Sequence, residues 1–524
     1  MLRHCCLPVP SRIRHDRLGA HPPAASRPRP GALLVLVLSL TWAGQAAAQE
    51  HALPSVPQSL GLQEAIDLAT QNNPLYRQTE NDHAPAAWGV RNAVTSTFLP
   101  TFSVGGGASY RGAGSQTFLS STFSQGSATL SSGYQLNLNW QLSGRTLAQP
   151  GLYKAQLHAT DANITNARMT LRSTIVNQYL AVLQAQENVN VAEAQQKSAE
   201  EGLRLAQARY QVGQTTVLDV RQAEVTKGQA DVGLIRAQQA VTVQKLTLFQ
   251  QMGVAAPEDP SVVQMSDTFP VVQPTWKLDD LLQEADQHNP ELNAREAQAT
   301  AAKWSARAAR AAWLPTLSFS AGWQGYTQQY TNVQYALDQA AANAQSTYDQ
   351  CNLINTSLLN PGATPLPCGS PTLTPAEENA IRSQNNVFPF SFTGQPFQAQ
   401  VSVSLPIFTA FSRPLQVSQA EAQADDAREA VRARRLQVRT DVSTAYYQLQ
   451  ADYQAIGIQQ TNRSAAQEQL RLATEQYRVG SGTFLNLLNA QTTSQQAQYA
   501  YIGAVYDYHR AIVQLETAVG RPLR

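Results

Sequence analysis

The feature that most constrains this chain of 524 residues is an internal duplication. Four pairs of segments match, in the same order, in the two halves of the sequence. They are LQEAIDLATQNNP (62–74) with LDDLLQEADQHNP (278–290), TSTFLPTFSVGGGASY (95–110) with RAAWLPTLSFSAGWQG (310–325), LRLAQARYQVGQTTVLDVRQAE (203–224) with LRLATEQYRVGSGTFLNLLNAQ (470–491), and LFQQMGV (248–254) with LETAVGR (515–521). Because a repeat is one structural unit used again, a single plan must serve both halves.

Each half is predicted to contain short helices, two strands, a very long helix, a glycine turn and a last helix. The first repeat spans 49–255, with strands near 98–111 and 133–143 and helices near 147–211 and 214–251. The second repeat spans 276–524, with strands near 314–326 and 395–408 and helices near 412–479 and 483–519. The short helices are predicted to end at Asn73-Pro74 and Asn289-Pro290, and the next helices to run to Leu99-Pro100 and Leu314-Pro315. A Pro-rich linker at 256–275 joins the halves, and an insertion at 326–396 enlarges the second.

The N-terminus has the pattern of a secretory signal peptide. Six arginines precede the apolar run GALLVLVLSLTWA (31–43), and Ala46-Ala47-Ala48 supplies a small-residue cleavage site. We therefore expect residues 1–48 to be removed. The remaining chain carries a net charge of about −4, which does not favour a nucleic-acid partner.

The four predicted strands alternate between apolar and uncharged polar residues. Apolar positions include Phe102 and Val104, Leu136 and Leu138, Phe319 and Trp323, and Val401 and Val403. Strands of about 10 residues with this period are typical of transmembrane β-barrels, although a soluble sheet with one wet face shows the same alternation. Since four strands cannot close a barrel, a barrel here requires several chains.

The long helices carry a heptad pattern. Apolar residues recur in steps of four and three from Leu171 to Ala192 and from Val438 to Gln459, interrupted by Gln178, Asp452 and Gln459. Such steps are typical of coiled-coil packing. We expect these residues to hold helices together and to bind no ligand.

The combined pattern resembles the TolC family of outer-membrane efflux proteins, over most of 60–521. The resemblance rests on the duplicated helix–strand–strand–helix plan and on two turn motifs, ARYQVGQTTVLDVRQAE (208–224) and EQYRVGSGTFLNLLNAQ (475–491). It implies an α+β membrane protein: a homotrimer with a 12-stranded outer-membrane β-barrel, four strands per chain, that continues into a long periplasmic α-helical coiled-coil tunnel.

The resemblance also implies partners and a site. The partners are outer-membrane lipid, a periplasmic adaptor protein and an inner-membrane pump of the RND or ABC type. The turns would form the periplasmic tip, with adaptor-docking positions at Val212, Gly213, Leu218, Val479, Gly480 and Leu485. Asp219 and Tyr477 match positions that hold the closed tip by hydrogen bonds. Asn486 and Asn489 stand where the family pattern has two acidic residues at the constriction, and Gly482 stands where it has an arginine, which Arg478 could replace.

The implied function is a passive exit duct of a tripartite efflux system for small toxic molecules, with a duct for type I protein secretion as the alternative. A structural coiled coil or surface adhesin would explain the heptads but not the duplicated hairpins. No catalytic motif, cofactor site or metal site is apparent in the sequence, so an enzyme is not expected.

The insertion at 326–396 would be an extracellular loop in this plan. Cys351 and Cys368 are the only cysteines after the signal, and in an exported protein they are candidates for a disulfide, the alternative being two free thiols. Residues 388–397, FPFSFTGQPF, are aromatic enough for a membrane-interface girdle.

Overall fold

The computed structural model of the chain describes residues 56–118, 121–358 and 362–523, which fall within one structural unit, Pro54–Arg524. The predicted signal peptide at 1–48 lies outside the described residues. The first half contains β1 (Ser59–Leu60), α1 (Leu62–Asn72), α2 (Pro74–Asn81), α3 (His83–Phe98), β2 (Thr101–Arg111), β3 (Gly114–Phe118), β4 (Ser121–Gln125), β5 (Thr129–Leu142), α4 (Gly144–Gln211) and α5 (Val217–Met252). Then follow β6 (Gln264–Met265), α6 (Leu278–His288), α7 (Pro290–Ala311), β7 (Thr316–Tyr330), α8 (Val333–Leu353), α9 (Pro375–Gln384), β8 (Thr393–Gly394), β9 (Gln398–Ser404), α10 (Ser412–Val479) and α11 (Phe484–Val519).

The duplication is kept in the lengths of the long helices. Helices α4 and α10 have 68 residues each, and α5 and α11 have 36 each. At a rise of 1.5 Å per residue, each 68-residue helix is about 100 Å long. The two halves are therefore built to one length.

The heptad seam is buried as predicted. Its buried apolar residues include Leu171, Ile175, Val182, Val438, Val442 and Leu449. Gln178, a polar seam position, donates hydrogen bonds to the backbone oxygen and side-chain oxygen of Gln244 at 3.0 and 2.8 Å. The polar interruption of the seam is thus satisfied by a partner on α5.

An Asn-Pro corner recurs in both halves. Asn73 ends α1 and caps α2, accepting from the backbone N–H of Tyr76 and donating to the carbonyl of Gln251 at 2.7 Å. Asn289 does the same for α6 and α7, with the N–H of Leu292 and the carbonyl of Ala518 at 2.8 Å. Each amide therefore ties the start of its repeat to the C-terminal end of that repeat's last helix.

Each corner also requires a glycine at the end of that last helix. Gly253 and Gly520 have φ of 73° and 94°, and a Cβ on either would lie 2.3–2.7 Å from backbone atoms of the corner. Only glycine combines the left-handed conformation with this approach. Gly253 and Gly520 are thus equivalent parts of a joint that recurs in both repeats.

The long strands form an antiparallel sheet in the order β2-β5-β7-β9, with the two-residue β8 also pairing along β7. The register aligns Phe102 with Leu138, Trp140 with Phe319, and Phe319 with Val401. Directly opposite residues share a face, so the apolar positions of all four strands lie on one side. We call this side the apolar sheet face, and the side that carries Gln135, Asn137, Gln324 and Gln400 the polar sheet face.

The predicted linker is packed against the helices. Residues Gln264–Met265 pair in parallel with Ser59–Leu60. The Tyr179 hydroxyl donates to the Leu60 carbonyl at 2.9 Å and contacts the Asp267 carboxylate at 3.2 Å, and burial raises the pKa of Tyr179 to about 12. The buried Lys245 ammonium group donates to the Val263 carbonyl at 2.6 Å. These contacts fix the connection between the two repeats.

The insertion contains more regular structure than the short helix suggested by the sequence. Helix α8 has 21 residues, and α9 begins with a capping box formed by Thr374 and Glu377. A disulfide joins Cys351 to Cys368. The insertion is therefore a small helical element with an internal disulfide.

Several boundaries differ from the prediction, for local reasons. The helix predicted to reach Leu99 is divided at Asp82, because Pro85 has no N–H with which to continue the hydrogen-bond ladder of α2. Strand β5 begins earlier than predicted and strand β7 ends later, since Thr129 pairs with Tyr330. Strand β9 is shorter because it lies between Pro396 and Pro406, neither of which can donate to a ladder.

Within the described residues, none of the helices combines the length and the apolar character that crossing a membrane would take.

Candidate functional site

Both long helices end in the same glycine turn. After α4, Gly213 donates to the Tyr210 carbonyl and Gln214 to the Arg209 carbonyl, and after α10, Gly480 donates to Tyr477 and Ser481 to Gln476. This is the Schellman arrangement, which needs a left-handed residue at the turn. Gly213 and Gly480 supply it with φ of 76° and 86°.

Threonine caps the helix that follows each turn. Thr216 accepts from the N–H of Asp219 at 3.4 Å, and Thr483 from the N–H of Asn486 at 3.2 Å. Asp219 and Asn486 hold equivalent places in the two turns. The Asp219 carboxylate also accepts a short hydrogen bond from the Thr215 hydroxyl, which has no counterpart in the second turn, where Gly482 stands.

The two turns are brought together by a small core. It consists of Ala206, Val220, Ala223, Tyr477, Phe484 and Leu487. The packing is unequal: Tyr477 is 1% exposed, whereas its counterpart Tyr210 is 50% exposed. The second turn is thus inserted against the helices of the first, and the duplicated motifs have become different parts of one site.

Arg209 links the turns across the repeats. Its guanidinium Nη1 donates to the Tyr477 carbonyl at 2.6 Å, its Nη2 donates to the Gln214 carbonyl at 3.1 Å, and the group lies 4.5 Å from the centre of the Tyr477 ring. Sequence analysis did not select this residue. A sign of it was present in the sequence: when the two repeats are aligned, Arg209 corresponds to Gln476, in a stretch where the two motifs otherwise match closely.

Tyr477 and Asp219 lie in the same region without bonding to each other. The Tyr477 hydroxyl is buried beside Thr215 and, among the described residues, lacks a hydrogen-bond partner of good geometry. Burial raises the pKa of Tyr477, and the nearby charges of Asp219 and Arg209 act in opposite directions. Their predicted part in holding a closed tip remains a prediction.

The surroundings of Gly482, which stands where the TolC-family pattern has an arginine, and of the nearby Arg478 are well defined. A Cβ on Gly482 would lie 3.0 Å from the Cβ of Gln476, so a larger residue would require the turn to shift by a few tenths of an ångström. Arg478 is exposed and paired with Glu475 of its own helix at 2.5 Å. It is therefore Arg209, and not Arg478, that reaches the neighbouring turn.

Exposed apolar side chains and amides are clustered at the double turn. Val212, Leu218, Val479 and Leu485 are 60–71% exposed, and Asn486 and Asn489 are exposed one helical turn apart on α11. Exposed apolar groups clustered at one end of a molecule are typical of docking surfaces. We call the two glycine turns and these residues the tip.

In the part of the chain that the structure describes, a sheet with one apolar face and two unpaired edges is continued by helices about 100 Å long that end in a double turn. This arrangement defines one subunit of a channel that spans an outer membrane. A family model described as outer membrane efflux protein matches residues 65–254 and 376–521. The chain belongs to this family. It is accordingly an outer-membrane efflux channel protein with a periplasmic extension, in a family of channels and not of enzymes.

Individual relatives agree. The chain is 24% identical over 368 residues to the outer membrane efflux protein BepC of Brucella suis, covering 70% of this chain and 67% of that protein. It is 21% identical over 395 residues to the cobalt-zinc-cadmium resistance protein CzcC of Cupriavidus metallidurans, covering 75% and 78%. Among solved structures, the outer-membrane channel OprN matches with a TM-score of 0.65 at 17% identity, covering 88% and 89%. The open state of the Neisseria gonorrhoeae MtrE outer membrane channel matches with 0.62 at 20% identity, covering 90% and 95%. These likenesses show the fold.

Proposed function

We propose that three copies of this chain form the outer-membrane exit duct of a tripartite efflux system, which passively exports small toxic molecules. The duct performs no chemistry of its own, and its partners supply the energy. The proposal extends the efflux role of the family to one assembly and one class of cargo.

The observation that carries the proposal is the pair of open sheet edges. Among the described residues, strands β2 and β9 each pair on one side only, which leaves a row of backbone N–H and C=O groups on the other. In lipid every such group must be paired, so a sheet in a membrane has to close. Pairing β2 of one copy with β9 of the next, three times, gives a 12-stranded barrel from four long strands per chain.

The two sheet faces then have distinct surroundings. The apolar sheet face would contact lipid, and the amides and hydroxyls of the polar sheet face would line a lumen. A lumen of uncharged polar groups suits cargo of varied structure, because it binds none of it tightly.

The tip would receive the partners. Val212, Gly213, Leu218, Val479, Gly480 and Leu485 would form the adaptor-docking surface, and an inner-membrane pump of the RND or ABC type would complete the system. Asp219, Tyr477, Asn486 and Asn489 would control opening, the two asparagines forming rings of amides around the constriction.

The test is accumulation of a fluorescent efflux dye in cells that lack the gene and in cells that regain it. We expect more dye in the deletion strain and recovery with the gene. The variant Val212→Asp/Val479→Asp should fail to restore efflux, because it charges an apolar docking surface, while it still forms a heat-sensitive trimer in the outer membrane. Gln214→Asp is the matched control, since it adds a charge to the same turn without removing an apolar group.

Unchanged dye accumulation in the deletion strain would contradict small-molecule export. Loss of particular proteins from the culture medium of that strain would then identify the alternative, an exit duct for type I protein secretion.

A further inference from the structure

The apolar sheet face becomes polar at one end of strands β5 and β7. By register, Leu130 lies opposite Gln329 and Ser132 opposite Thr327, all on the side that carries Tyr134 and Leu136. Three of these end positions are therefore polar on a face that is otherwise apolar. Hydroxyls and an amide facing lipid would each cost free energy unless they were bonded.

A segment of the insertion covers these groups. The Gln329 side-chain oxygen accepts from the backbone N–H groups of Val387 and Phe388 at 3.2 and 3.0 Å. The Ser132 hydroxyl lies 2.6 Å from the Pro389 carbonyl, to which it donates, and 2.8 Å from the Thr327 hydroxyl. Ser132 and Thr327 are consequently buried. The segment that begins at Val387 thus binds to the polar end of this sheet face.

Phenylalanine rings of this segment pack on the sheet and extend beyond it. Phe392 packs edge-on against Tyr134 with ring centres 5.0 Å apart, and Phe397 packs on Trp323 at 4.6 Å. Phe390 lies 6.5 Å from Phe392 and is 82% exposed. The rings continue the apolar sheet face past the point where the strand residues become polar.

Several main-chain groups of the segment are also hydrogen-bonded. Ser391 donates to the Val387 carbonyl at 3.0 Å, Gln395 donates to the Gln324 carbonyl at 3.1 Å, and Thr393–Gly394 pair with β7. Residues 387–397 contain two prolines, which have no N–H, and no charged side chain. Irregular backbone next to lipid must satisfy its polar groups internally, and these bonds satisfy several of them.

We propose that residues 387–397 are a membrane anchor that folds back along the outside of the barrel and binds outer-leaflet lipid at the boundary between headgroups and acyl chains. Aromatic rings are the side chains best suited to that boundary, where an apolar body and a polarised edge meet lipid and water. The inference rests on the proposed barrel, because it requires the apolar sheet face to contact lipid. The insertion would then fix the height of the barrel in the membrane.

The experiment measures how far a label at position 390 is in lipid. Phe390→Cys is labelled with a nitroxide in the trimer reconstituted in phosphatidylcholine vesicles, and its collisions with oxygen, which concentrates in lipid, are compared with those of a water-soluble nickel chelate. The native Cys351 and Cys368 are joined by a disulfide and do not take the label. Because Phe390 is 82% exposed, its replacement should leave folding intact.

Two further labelled variants calibrate the scale. Val401→Cys lies on the apolar sheet face and is 66% exposed, whereas Glu378→Cys is an exposed charged position on α9. We expect the oxygen-to-nickel collision ratio at position 390 to exceed that at 378 several-fold and to approach that at 401.

A ratio at position 390 equal to that at 378, with lipid contact retained at 401, would place the segment in water and overturn the anchor alone. Weak collision with both reagents would mean that another copy of the chain covers the segment, which also overturns it. Loss of lipid contact at 401 would overturn the proposed barrel together with the anchor.

Discussion

The guanidinium group of Arg209 stacks 4.5 Å from the centre of the Tyr477 ring while it donates to the Tyr477 backbone carbonyl at 2.6 Å. The two residues belong to different repeats, 268 positions apart in the sequence. One side chain therefore holds the second turn against the first by a charge-assisted hydrogen bond and a cation–π contact.

Replacing Arg209 should loosen the tip. A hydrogen bond that involves a charged group contributes about 1.5–3 kcal/mol, and a cation–π contact about 0.5–2 kcal/mol. We expect this contact to be made in the closed tip and broken on opening, so that losing about 2 kcal/mol would raise the open fraction roughly 30-fold. We expect Arg209→Ala channels in planar bilayers to open far more often, and Arg209→Lys channels to be intermediate, since lysine keeps the charge but not the planar fork.

Arg478→Ala is the control for this measurement. Arg478 is an exposed arginine of the same motif that pairs only with Glu475 among the contacts seen, so its loss should leave opening unchanged. Equal opening of the Arg209→Ala and native channels would show that the contact only shapes the turn.

The tip should show weak cation preference because Asn486 and Asn489 present amides. Rings of acidic side chains favour cations, whereas amides carry no net charge. Converting both residues to aspartate (Asn486→Asp/Asn489→Asp) should raise the cation-to-anion permeability ratio and introduce block by multivalent cations. Reversal potentials in a salt gradient measure the ratio, and a native channel already strongly cation-selective would contradict the prediction.

The Asn-Pro corners should matter for the stability of the assembly. Asn289→Ala removes the cap of α7 and the hydrogen bond to the Ala518 carbonyl, and it leaves buried backbone groups without a partner. Such a loss costs about 1–3 kcal/mol, so the heat-dissociation midpoint of the trimer should fall by several degrees. Asn73→Ala should act similarly. Asn293→Ala, at an exposed position of α7, is the control and should leave the midpoint unchanged.

Acid should loosen α9 selectively. The Glu377 carboxylate accepts from the backbone N–H and the hydroxyl of Thr374, both at 2.8 Å, and these bonds hold the pKa of Glu377 below its usual value. A carboxyl group with a lowered folded-state pKa stabilises the fold above its unfolded-state pKa, near 4.3, and that contribution is lost as pH falls through the folded-state value. Protection of α9 from hydrogen exchange, relative to that of α8, should therefore decrease when the pH is lowered below about 4. In Glu377→Gln, whose amide does not titrate in this range, the ratio should stay constant; an equal drop in both proteins would assign the change to another group.

The sequence by itself determined the architecture. The duplicated motifs, the period-two strands and the heptads of the long helices are all local patterns, and the four strands and four helices that flank the glycine turns and the sheet are present among the described residues. Periodicity decides which residues share a side of a strand or a helix, so the sequence already places Val401 on the apolar face of its strand and Val438 on the apolar face of its helix. The glycine turns were also predictable from local sequence, because Gly213 and Gly480 supply a left-handed conformation that few other residues adopt.

Tertiary structure decided everything that depends on contacts between distant segments. The two tip motifs are nearly equivalent in sequence, yet Tyr477 is buried and Tyr210 is exposed, because only one of two similar turns can be inserted against the other. Arg209 gained its role from that insertion. Ser132 and Gln329 likewise interrupt a strand pattern for no local reason, and they are explained by a segment more than 50 positions away that folds back to bond with them. Local propensity and periodicity act over a few residues, whereas these pairings are selected by packing across the whole chain.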